Sequence, residues 1–195
     1  MASHDRASVE DHQAIPLAAA GDQRAFAVLI GRYKHMVYTV VQRVLRNDMD
    51  AEEASQDVFV KAYQQLGEFN GTGKFSTWLY SIAFRTAIST LRRRKEHPTS
   101  VDDLASTLHE PSDEPRLFIN DRKDLLEWAL ARIPAEDAAL LTMYHLEEMS
   151  IEEIVTVTEL GASNVKVRLH RGRKKLAELL HLHLREETWT LSTNG

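Results

Sequence analysis

The chain has 195 residues, enough for one medium domain or two small ones, and its 43% apolar and 27% charged content is that of a chain able to fold around a core. The absence of cysteine excludes disulfides and thiolate metal sites. No apolar run approaches the roughly 20 residues that span a bilayer, and the first residues, MASHDRASVEDHQ, lack the charged-then-apolar pattern of a secretion signal, so no membrane insertion and a cytoplasmic location are expected.

Residues 1–13 mix small, polar and acidic side chains without period and are expected to be a mobile arm. From Asp22, the residues Phe26, Leu29, Ile30, Tyr33, Met36, Val37, Val40, Val41, Val44 and Leu45 recur at three and four, which predicts a long amphipathic helix. Asn47 to Asp50 breaks it, and Asp50 with Glu53 can cap a second helix whose inner face is Ala54, Val58, Ala62 and Leu66. Its solvent side reads Glu52, Glu53, Gln56, Asp57, Lys61 and Gln64. Phe69 to Gly73 is a loop, and Phe75 starts a third helix with Leu79, Ile82, Ala83, Ala87 and Leu91 on one face and Ser81, Arg85, Ser89 and Arg92 on the other. Trp78, Tyr80 and Phe84 are either core or stacking surfaces for bases.

The total charge is −5 with a pI near 6.0, which argues against coating the whole surface with nucleic acid. Cations instead gather at Arg92 to Lys95 and Lys166 to Lys175, with acids at Asp48 to Asp57 and Asp102 to Glu114. The proline-rich acidic stretch after residue 96 reads as a linker. Beyond it, Leu117 to Ile133 is a helix with Leu125, Leu126, Ala129 and Leu130 inward, and Ala135 to Glu148 follows with Leu140, Leu141, Met143 and Tyr144 apolar.

The stretch from Ser150 to Lys175 has the layout of a helix-turn-helix. Ser150 with Glu153 forms a capping box, a break falls near Gly161, and the second helix keeps Val165, Leu169 and Leu176 on one face with Gly172 allowing close approach. Its other faces carry Lys166, Arg168, His170, Arg171, Arg173, Lys174 and Lys175, so it is built to meet an anion. The helix continues from Leu179 to Glu187 into a polar tail, 188–195. The whole is read as all-α, two small helical domains joined by a flexible acidic linker.

The segments DAEEASQDVFVKAYQQLGEF, FSTWLYSIAFRTAISTLRRRK and SIEEI followed by NVKVRLHRGRKKL resemble bacterial RNA polymerase sigma factors of the extracytoplasmic-function class. That resemblance implies a region 2 domain over 14–95, a linker over 96–116 and a region 4 domain over 117–187. It implies binding to core RNA polymerase through its β′ and β subunits, with Glu53, Gln56, Asp57 and Lys61 on the polymerase side. It implies promoter DNA as the second partner, contacted at the downstream element by Lys74, Trp78, Arg85, Ser89, Arg92 and Arg93. At the upstream element, Lys166, Val167 and Arg171 would face bases or backbone, with Arg168, His170, Arg173 and Lys174 on phosphates.

An anti-sigma factor would hold such a protein silent, and neither catalysis, cofactor nor metal is expected. His181 and His183, two residues apart, point to different helix faces. Two positions depart from the family pattern: Arg85 stands where an Asn beside the flipped base is common, and Glu159 where the turn glycine is common. Two alternatives stay open on the residues alone, a dimeric helix-turn-helix regulator and a sigma mimic that sequesters an anti-sigma factor.

Overall fold

The computed structural model describes the backbone of residues 2–96 and 122–193, and side chains within 11–96 and 124–183. The segment expected to be the acidic linker lies outside the described residues apart from Glu96. Among the described residues the regular structure is helical, and the chain divides into two compact units, one holding Met1–Leu91 and the other Arg92–Val155 and Glu159–Gly195. No helix among them is long and apolar enough to cross a membrane.

In the first unit, α2 (Gln23–Leu45) begins where Asp22 accepts hydrogen bonds from the amides of Arg24 and Ala25, and ends at Arg46 in the left-handed region. Its buried face, Leu29, Val37, Val40, Val41, Val44 and Leu45, follows the spacing expected from the sequence. It packs on α3 (Asp48–Gln65), whose inner residues Ala51, Ala54, Val58 and Ala62 are small enough to let the two backbones approach. The cap of α3 differs from expectation: Asn47 fills it, accepting from the Asp50 amide 3.0 Å away. Asn47 is extended, with φ −143° and ψ 124°, as a cap must be, whereas Asp50 is already helical.

A single 3₁₀ turn (Leu66–Glu68) leads into the loop, where Asn70 Oδ1 accepts from both the amide and the hydroxyl of Thr72, at 3.1 and 2.7 Å. Helix α4 (Phe75–Glu96) then buries Leu79, Tyr80, Ile82, Ala83, Phe84 and Ala87.

The stretch 1–13, expected to be an arm, is a correction: from Ala2 it is part of a helix, α1 (Ala2–Ala19), packed on α2. Its buried side is short, Ala14 and Ala18 together with one buried acid. Asp11 accepts a charge-assisted bond from the Arg32 guanidinium and another from the Tyr33 hydroxyl, both on α2. Burial and the bond to Asp11 push the Tyr33 phenol well above its ordinary range, so it stays a donor.

From residue 122 the described chain forms α5 (Arg122–Ala131), α6 (Ala135–His145), α7 (Ile151–Thr158) and α8 (Ala162–Thr193). Helix α6 packs on α8, and α5 touches both. Leu140, Leu141 and Met143 of α6 are buried as expected, while Tyr144 is turned outward. Trp128 anchors α5, with the Arg132 guanidinium 4.3 Å over its ring and the His183 ring 4.9 Å away. Helix α8 runs on through the segment expected to be a polar tail, as far as Thr193.

Candidate nucleic-acid interface

The helix-turn-helix is α7, a short turn, and the first half of α8. Ser150 and Glu153 close a reciprocal capping box, with the Glu153 amide 3.1 Å from Ser150 Oγ and the Ser150 amide 2.9 Å from Glu153 Oε2. At the other end of α7 the left-handed residue is Glu159, at φ 59° and ψ 16°. Gly161 has no positive φ; its carbonyl accepts the Val165 amide at 3.0 Å and so opens α8. A glutamate thus holds the backbone geometry that glycine adopts without strain.

Val165, Leu169 and Gly172 are buried along one side of α8. A Cβ placed on Gly172 would lie 3.2 Å from Leu141 Cδ1, so the missing side chain is what lets α8 settle on α6. On the outer side Lys166, Val167, His170, Arg171, Arg173 and Lys174 are exposed. Lys166, His170 and Arg173 stand at i, i+4 and i+7, and Val167, Arg171 and Lys174 form a parallel row beside them. Arg173 also borders an apolar groove of about 350 Å³ walled by leucines of α5, α6 and α8, a feature with no sequence signature.

Arg168, expected on phosphates, differs from its neighbours on α8. Its guanidinium is half-buried and turned inward, with Nη2 2.7 Å from Glu136 Oε2 and Nε 3.1 Å from Asp137 Oδ1. The second is an ionic contact without hydrogen-bond alignment.

In the first unit, Glu53, Gln56 and Asp57 are exposed together on one face of α3, at i, i+3 and i+4. Lys61 departs from that group: it is half-buried and donates to Thr86 Oγ1 of α4 at 3.2 Å. Lys61, Gln65, Ile82, Arg85, Thr86 and Ser89 line a cleft of about 260 Å³ between α3 and α4. A residue expected on the polymerase side therefore shares a concavity with two expected on the DNA side.

Arg85 Nη2 donates to Ser81 Oγ at 3.1 Å, and Ser81, expected on the outer face, is buried, with its hydroxyl satisfied by donating to the Trp78 carbonyl at 2.7 Å. Trp78 is half-buried in a ring cluster, 5.5 Å from Phe69 and 5.4 Å from Phe75, so its role in the fold is packing as much as display. Lys74, Arg92 and Arg93 are exposed. Among the described residues no group of three or more His, Asp or Glu could hold a metal ion.

The sequence matches the family models for Sigma-70 region 2 over residues 29–97 and for Sigma-70, region 4 over residues 123–176. The ECF RNA polymerase sigma-E factor of Escherichia coli is 30% identical over an alignment covering 80% of this chain and 86% of that protein. The chain belongs to the ECF RNA polymerase sigma factors.

The RNA polymerase sigma-H factor of Pseudomonas aeruginosa is 29% identical over 91% of this sigma factor and 97% of its relative. Among solved structures, the sigma factor RpoE from Bartonella quintana, in complex with the anti-sigma factor NepR, superposes with a TM-score of 0.60 at 19% identity. That match covers 80% of this chain and 96% of RpoE, and it speaks for the fold.

Proposed function

We propose that this sigma factor binds core RNA polymerase, directs it to promoters of two elements and helps to melt the downstream one, with no catalysis of its own. The observation that carries this is the pairing, in one chain, of two differently shaped cationic features. The outer rows of α8, led by Lys166 and Arg171, suit the major groove of duplex DNA, where a helix reaches base edges. The cleft between α3 and α4 suits a single base lifted out of the stack, because its walls are close and rich in hydrogen-bond donors.

The acidic face of α3, Glu53, Gln56 and Asp57, is the surface we assign to the polymerase β′ subunit. Lys61 belongs with the DNA cleft rather than with that face, and Arg168 leaves the set of phosphate contacts. Lys74, Arg92 and Arg93 are placed on the DNA backbone, with His170 and Lys174 flanking the base-reading residues on α8.

The domain limits proposed are a first domain that ends at 95 and takes in α1 at its start, and a second over 117–187, with 96–116 between them. Regulation by an anti-sigma factor that covers these surfaces, in the cytoplasm, completes the reading; the family and the RpoE–NepR superposition support it.

Reconstituting the holoenzyme and selecting bound fragments from random-sequence DNA tests the proposal. Enrichment of a two-element sequence is expected, dependent on both sigma factor and core polymerase. Absence of any enrichment, together with failure to co-elute with polymerase, would overturn it.

A further inference from the structure

Among the cations of α8, Arg168 is held by two carboxylates of a neighbouring helix. Glu136 and Asp137 sit in the first turn of α6, where acids are favoured by the helix dipole, and α6 is anchored by the fully buried Leu140 and Met143. The register of the two helices gives this ion pair a geometric meaning. Arg168 and Gly172 are four residues apart on α8, and their respective partners Asp137 and Leu141 are four residues apart on α6.

Among the contacts between the two helices, these two points lie one turn apart. One point, Gly172 on Leu141, sets how closely α8 approaches. Apolar packing of this kind tolerates small rotations of α8, which the directional contact of Arg168 with Glu136 and Asp137 restrains.

From this we infer that Arg168 is a positioning residue, which sets the angle at which Lys166, Val167 and Arg171 meet DNA, and is not itself a phosphate contact. The inference rests on the reading of α8 as the duplex-reading helix. A planar guanidinium suits the task because it engages two carboxylates at once with little freedom left over.

The test uses the full chain in holoenzyme and a DNA fragment selected by the wild-type holoenzyme, with affinity measured across a series of salt concentrations. Arg168→Ala is expected to weaken binding about tenfold while leaving the slope of log affinity against log salt unchanged. Lys174→Ala, as the control for a phosphate contact, is expected to reduce that slope by about one. Glu136→Gln with Asp137→Asn is the sharper arm. Removing two negative charges from the neighbourhood of a DNA-binding helix should tighten binding by simple electrostatics, whereas loss of positioning weakens it about as much as Arg168→Ala.

Combined with Arg168→Ala, the acid-side changes should add little, since all three act through one contact. Arg168→Lys should restore only part of the affinity. A slope reduced by about one in Arg168→Ala, or tighter binding after the acids are neutralised, overturns the inference alone. Should Arg168→Ala fail to fold, the acid-side pair decides by the same criterion. A wild-type holoenzyme that selects no fragment overturns the functional reading and this inference together.

Discussion

On the function proposed above, the two units meet DNA with the same charge and opposite shapes. In the second, cations stand in rows on the convex outside of α8, where neighbours on one helix diverge. In the first, Lys61 and Arg85 converge from two helices on a concave cleft of about 260 Å³. A convex row can follow a groove and read several base pairs of a duplex, whereas a concavity of that size admits one base and only after the strand has opened. On this reading shape, more than charge, divides the labour between closed and open DNA.

The largest expected effect separates the two. Lys166→Ala with Arg171→Ala removes both base-edge candidates, each worth about 1–3 kcal/mol, and should cost 100-fold or more in upstream-element affinity. Co-elution with core polymerase should be unchanged; if polymerase binding falls as well, the division between the surfaces is wrong.

Next comes the support of the concave unit. Asp11→Ala leaves Arg32 and Tyr33 without their shared partner and should destabilise the first unit by roughly 2–3 kcal/mol, read as a lower thermal midpoint. Unchanged melting would mean that this contact contributes nothing to the fold.

Smaller still is Arg85→Asn in the cleft, which exchanges a side chain that only donates for one that both donates and accepts. It should change which base is preferred at the extruded position by about 1 kcal/mol, measured with four promoters differing at that base, while upstream binding holds. The least is Glu159→Gly. Relief of left-handed strain, partly offset by the entropy of the freer unfolded chain, should raise the stability of the second unit by up to about 1 kcal/mol.

Much of the fold was legible because its signals are local. The three-and-four recurrence from Phe26 to Leu45 lies within one helix, and the Ser150–Glu153 box closes over three residues. What escaped depends on partners far along the chain. Nothing near Asp11 marks it as buried; its partners lie 21 and 22 residues on. Nothing in a run of cations marks Arg168 as the one turned inward, since Glu136 is 32 residues away. Lys61 sits beside exposed acids in sequence and reaches Thr86 across α4. The Asn47 cap was missed for a different reason: Asn47 and Asp50 are both good cap residues, and only the backbone angles choose between them.

Gly172 has a consequence for how such a protein can diversify. It is buried on the side of α8 away from the cationic rows, yet one added carbon there would press on Leu141, and either the leucine tip or the helix would have to give by a few tenths of an ångström. Where the helix gives, the displacement carries to every side chain on the outer rows at once. A lineage of this fold can therefore retune its preferred sequence by substitution at a site that no nucleotide ever meets, and comparison of DNA-facing residues alone would overlook the change.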